Sequence, residues 1–133
     1  MSTTTIASGT FEIGEWDEEI YDESAGTRLG RTRLTKTFAG DLRGTSVVNM
    51  LAVSLEVDGQ PQGAAYVAVE RVTGTLHGRQ GSFVLTHIAG EAHGHRVSVV
   101  PGSGTADLRG ISGELVIERH PDGSHAYTFD YTY

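Results

Sequence analysis

The sequence predicts an all-β protein, a single eight-stranded antiparallel β-barrel. Three observations carry that prediction. Eight stretches of the chain are dense in Val, Ile, Thr, Tyr and Phe, and most alternate apolar with polar side chains. Turn signals separate them, with 18 glycines against 3 prolines among 133 residues. No window carries the 3.6-residue apolar stripe of a helix that could cover a sheet. An open sheet of that size would leave a wet apolar face and two unpaired edges. A barrel of about eight strands instead closes around side chains or one small ligand. A two-sheet sandwich is the alternative.

The strands are expected near residues 4–13, 28–38, 45–57, 63–73, 80–89, 94–100, 112–119 and 125–133. After the first comes the acidic stretch from Glu15 to Glu23, with Asp17, Glu18, Glu19 and Asp22 between. It lacks the alternating ligands, central glycine and closing glutamate of a calcium loop. It reads as a solvated loop with one helical turn, long enough to cover a barrel mouth as a lid. Within it Gly14-Glu15-Trp16 places a lone tryptophan suited to closing a barrel end. Asp58-Gly59, between the third and fourth strands, and Pro121-Asp122-Gly123, between the last two, are the best hairpin turns. Gly40-Asp41-Leu42-Arg43-Gly44 and Gly74-Thr75-Leu76-His77-Gly78 share a Gly-x-Leu-x-Gly form, and Asp107-Leu108-Arg109-Gly110 echoes it. Glycine supplies the bend in each, and leucine plugs the barrel end.

The length suits one domain, residues 1–133, since domains run to roughly 100–200 residues. There is no cysteine, which excludes disulfides, thiolate metal sites and thiol nucleophiles. The net charge of −7 argues against nucleic-acid or anionic-membrane binding. No apolar run approaches the ~20 residues of a membrane-spanning helix. Met1 to Ile6 lacks the basic flank and apolar core of a secretory signal, so the cytoplasm is the expected location.

A known pattern emerges from Tyr66 onwards. Tyr66-Val67-Ala68-Val69-Glu70 runs into Gly74-Thr75-Leu76-His77-Gly78-Arg79-Gln80-Gly81-Ser82-Phe83. Val99-Val100-Pro101-Gly102-Ser103-Gly104-Thr105 follows, then Leu108-Arg109-Gly110 and Gly113, and finally His125-Ala126-Tyr127-Thr128-Phe129-Asp130-Tyr131. This resembles a bacterial family of unknown-function domains with an allene oxide cyclase-like, calycin-like β-barrel, from about Gly9 to Tyr131. The resemblance implies a lumen that binds an apolar small molecule, and association as homodimers or homotrimers. No cofactor is expected.

Strand alternation puts residues i and i+2 on one face. Tyr66, Ala68 and Glu70 therefore share a face, as do Phe83, Leu85 and His87, and His125, Tyr127, Phe129 and Tyr131. Small residues beside a phenol and a carboxylate make a plausible pocket. Tyr66, Glu70 and His87 form the expected cluster, with Phe83, Tyr127 and Phe129 as aromatic neighbours of a ligand. If the protein is an enzyme, an isomerase or cyclase, Glu70 serves as acid or base and Tyr66 as hydrogen-bond donor. The competing reading pairs Glu70 with an arginine such as Arg79, as a prop in the barrel wall. His93-Gly94-His95 has chelating spacing but lacks the later glutamate of a cupin site, so no metal is expected.

Overall fold

The computed structural model describes residues 4–133. Met1 to Thr3, the start of the stretch read as lacking a secretory signal, lies outside them. Eight strands follow in order: β1 (Thr5–Ser24), β2 (Thr27–Gly40), β3 (Leu42–Val57), β4 (Gln60–Leu76), β5 (Arg79–Gly90), β6 (Gly94–Val99), β7 (Ser112–Arg119) and β8 (His125–Thr132). Each pairs antiparallel with the next, and β8 returns to β1, closing the barrel. The single helical segment among the described residues is a 3-10 turn at Ala106–Leu108. Among them, no helix is long and apolar enough to cross a membrane.

The wall is uneven. β8 accompanies β1 only from Thr5↔Tyr131 to Phe11↔His125, while β1 runs on to Ser24 against β2. β6 and β7 share one pair, Ser98↔Glu114. One end is therefore closed, and at the other the first four strands rise beyond the rim as a sheet arm.

Residues 15–23 correct the expectation of a loop or lid: they lie within β1. Three of the six acids face arginines across the ladder. Glu23 meets Arg28 at 2.8 Å, Glu15 meets Arg33 at 3.2 Å and Glu19 approaches Arg31 at 3.7 Å. Exposed pairs of this kind contribute only about 0–1 kcal/mol each. Their alignment favours this register, while the backbone ladder holds the strand. Bulges after Ile13 and Ile20 absorb the register shifts.

Asp58-Gly59 makes the expected tight turn, both residues at positive φ (52° and 80°), which matches the twist of the flanking strands. The repeated leucines plug the closed end: Leu42, Leu76 and Leu108 are all fully buried. Gly44 pairs directly with Gly74 there, and a Cβ on Gly74 would stand 2.1 Å from the Arg43 carbonyl oxygen. The plug continues through stacked Phe83 and Phe129, whose ring centres are 5.6 Å apart. Tyr127 locks it: its hydroxyl accepts from the Leu42 N–H at 2.9 Å and donates to the Ala39 carbonyl at 3.0 Å.

Candidate functional site

The alternation read from the sequence holds in the folded chain. Ala68, Glu70 and Val72 of β4 are buried, as are Phe83, Leu85 and His87 of β5, while Val67 and Val69 face out. Ala68 pairs with His87 and Glu70 with Leu85, so Glu70 and His87 are diagonal neighbours on the inner face. β2 adds Lys36 to this level and β3 adds Ser46.

These four side chains form one buried polar cluster. Glu70 is 0% exposed, His87 5% and Lys36 7%. One carboxylate oxygen, Oε1, receives His87 Nε2 at 2.7 Å and Lys36 Nζ at 3.2 Å. The other, Oε2, receives the Ser46 hydroxyl at 2.6 Å. Burial alone would push the Glu70 carboxyl up. The His87 bond, the Lys36 charge and the Ser46 hydroxyl outweigh it and hold the group below its ordinary value. Lys36 also sits over the Phe11 ring, 4.5 Å from its centre. Arg79 takes no part in this; it stacks on Tyr133 at the far end.

Above the cluster, at the open end, lies a cavity of about 270 Å³. Every strand reaches it. Trp16, Lys36, Met50 and Tyr66 line it from β1 to β4, and His87, His95, Ile117 and His125 from β5 to β8. The remaining walls are apolar, among them Leu34 and Val48. Trp16 stands at this mouth, 53% exposed, rather than sealing it.

The polar groups around the cavity are ordered from below and from the side. A carboxylate only accepts, so His87 Nε2 must carry the hydrogen bound to Glu70. Its other ring nitrogen has no protein partner, and among the described residues no buried side-chain nitrogen or oxygen is left unpartnered. That nitrogen therefore opens to the cavity. The Tyr66 hydroxyl and His95 Nε2 lie 2.9 Å apart and hydrogen-bond. Burial, then the Glu70 charge, pushes the Tyr66 phenol up, so it remains a donor. Burial, then the charges of His87 and Lys36, pushes His95 down.

The structure brings together Glu70 and His87, with Tyr66 nearby on the same face but bound to His95. Phe83, Tyr127 and Phe129 share the inner face yet lie lower, inside the plug, and none lines the cavity. Sharing a face is not sharing a level along the barrel. His93 and His95 do not converge either. Gly94, at φ 66°, turns the chain between them, and His93 lines a separate hollow beside Leu51 and Val67. Among the described residues no three His, Asp or Glu side chains group as a metal site. Sequence reasoning missed Lys36, Ser46 and His125. Lys36 had a readable signal: it alternates with Leu34 and Phe38 on the apolar face of β2.

Fold and site together define a small antiparallel meander barrel, plugged at one end and open at the other above a buried Lys–Glu–His cluster. The chain belongs to the family of proteins of unknown function DUF3224, which matches residues 7–131. It is similar to a crystallised protein of unknown function from that family, from Shewanella oneidensis MR-1. The two are 36% identical over 98% of each chain, with a TM-score of 0.82. No curated protein matches the chain. The expected unknown-function family and the antiparallel barrel both stand.

Proposed function

We propose that the protein binds a small, mainly apolar molecule with one polar group in the open half of the barrel. One observation carries the reading: all eight strands converge on a single cavity with apolar walls and an ordered polar floor. Its size sits just below the roughly 300–1,000 Å³ of common ligand pockets, so the ligand is small. Tyr66 and His87 contact it, and Glu70 acts from beneath by orienting His87. Phe83, Tyr127 and Phe129 support the site as its packed base. The acidic, cysteine-free chain suits the cytoplasm.

The test is native mass spectrometry of protein purified gently from its own host, beside a Met50→Arg variant that fills the cavity. A reproducible added mass, absent from the variant, is the expected result. Bare protein that also fails to take up octan-1-ol in solution overturns the reading.

A second reading, an isomerase or cyclase, is favoured by the Glu70–His87 pair. Glu70 has no exposed surface, so His87, through its open ring nitrogen, is the group able to move a proton at the ligand. Turnover lost in His87→Gln, with ligand affinity retained, is the result that selects this reading.

A further inference from the structure

We propose that the cavity selects an anionic ligand, an apolar small molecule ending in a carboxylate. This rests on the binding reading above and names the class of ligand.

The argument is one of donors and acceptors. Five polar side chains line the cavity besides the Trp16 indole: Lys36, Tyr66, His87, His95 and His125. No acid lines it. The one carboxylate nearby, Glu70, already receives Lys36, His87 and Ser46 and has no surface to offer. A polar group entering the cavity meets the Lys36 ammonium and the ring N–H of His95, whose Nε2 is taken by Tyr66. The open ring nitrogen of His87 joins them as a donor when that ring takes a proton. A charged acceptor satisfies all three and gains most where apolar walls weaken screening.

The charge balance points the same way. Within the cluster Glu70 offsets the charge of Lys36. Of the three imidazoles His87 is held by Glu70, while among the described residues His95 and His125 meet no carboxylate. The ring centres of His87 and His95 are 6.5 Å apart. His125 stacks on Phe11 from β8, 5.0 Å between ring centres. β3 and β7 present only uncharged side chains to the cavity, such as Met50 and Ile117. His95 is held down partly by the His87 and Lys36 charges. An anion seated among the three relieves that repulsion and favours a proton on His95, so binding takes up a proton.

Titration calorimetry with the unmodified protein tests this, using octanoate, methyl octanoate and octylammonium, which share a chain and differ at the head. Octanoate is expected to bind about tenfold or more tighter than either. Its affinity rises as the pH falls toward the lowered pKa of His95, below the ordinary 6.5. In a Lys36→Met, Glu70→Gln double variant, chosen to avoid an orphaned buried charge, the octanoate preference falls at least threefold while the ester still binds. Ester binding as tight as octanoate, or octylammonium binding tightest, overturns the anionic ligand and leaves the binding barrel standing. Failure of all three to bind overturns both.

Discussion

Glu70 holds His87 by a single oxygen, Oε1, 2.7 Å from Nε2, and the same oxygen receives Lys36 at 3.2 Å. One buried carboxylate thereby fixes the ring that faces the cavity and neutralises the lysine beside it. Removing it leaves a buried ammonium without a partner. Glu70→Ala is expected to destabilise the fold by about 3–5 kcal/mol. Replacing Glu70 and Lys36 together by methionine is expected to be far milder, because no charge remains buried. Urea unfolding of the two variants and the native chain measures the difference. Equal losses in both would show that Glu70 acts by packing and not by charge.

Acid stability carries the same signature. The folded chain holds Glu70 below its ordinary value of 4.5. A carboxyl with a lowered folded pKa contributes stability above the unfolded value and loses it as pH falls through the folded one. Native stability is therefore expected to fall below about pH 4.5, and the part due to Glu70 to vanish in Glu70→Gln. Thermal midpoints of both proteins across the acid range measure it. A variant with the same acid slope as the native chain refutes the assignment.

The fold was legible because its signals are local. Alternation assigned the inner faces of β4 and β5, and Asp58-Gly59 marked a turn. The buried cluster was half legible. Glu70 and His87 announce themselves on apolar faces, but their partners Lys36 and Ser46 arrive through the register of β2 and β3, which spacing along one strand does not encode. The acidic arm was illegible for a related reason. Its strand-forming partners, Arg28, Arg31 and Arg33, lie across a hairpin at Ala25-Gly26, and the run itself has no apolar alternation. The height of a residue along the barrel was also hidden. Phe83 and His87 are only four positions apart on one face, yet one packs the plug and the other faces the cavity.

That separation is testable with Phe83. Phe83→Ala removes a fully buried ring stacked on Phe129 and is expected to cost about 3–5 kcal/mol. The folded fraction is expected to bind octan-1-ol as the native chain does, because Phe83 does not line the cavity. Calorimetry below the unfolding temperature reads the affinity. A tenfold loss with the fold intact would return Phe83 to the binding site.

Two glycines separate steric need from chain entropy. A Cβ at Gly74 meets the Arg43 carbonyl oxygen at 2.1 Å, backbone that cannot yield, so Gly74→Ala is expected to disrupt the closed end. At Gly63 nothing lies within 4 Å, and the residue has no positive φ. Gly63→Ala is expected to be neutral or stabilising by up to about 1 kcal/mol through the unfolded chain. Thermal unfolding of the pair checks this, and a soluble Gly74→Ala with native stability would refute the close approach.

His95 reports on the cavity directly. Burial, then the charges of His87 and Lys36, pushes its pKa below the ordinary 6.5. For a histidine lowered in this way the folded state resists protonation. Its contribution is present above the unfolded value and is lost as pH falls through the folded one. An NMR titration of the imidazole protons is expected to show His95 gaining its proton below the ordinary 6.5. In Lys36→Met, which leaves the Glu70 carboxylate held by His87 and Ser46, one of the charges opposing that proton is gone, and the His95 midpoint is expected to move up. An unmoved His95 would show that Lys36 does not act on it, and that the cavity lacks the shared positive field through which its polar groups act together.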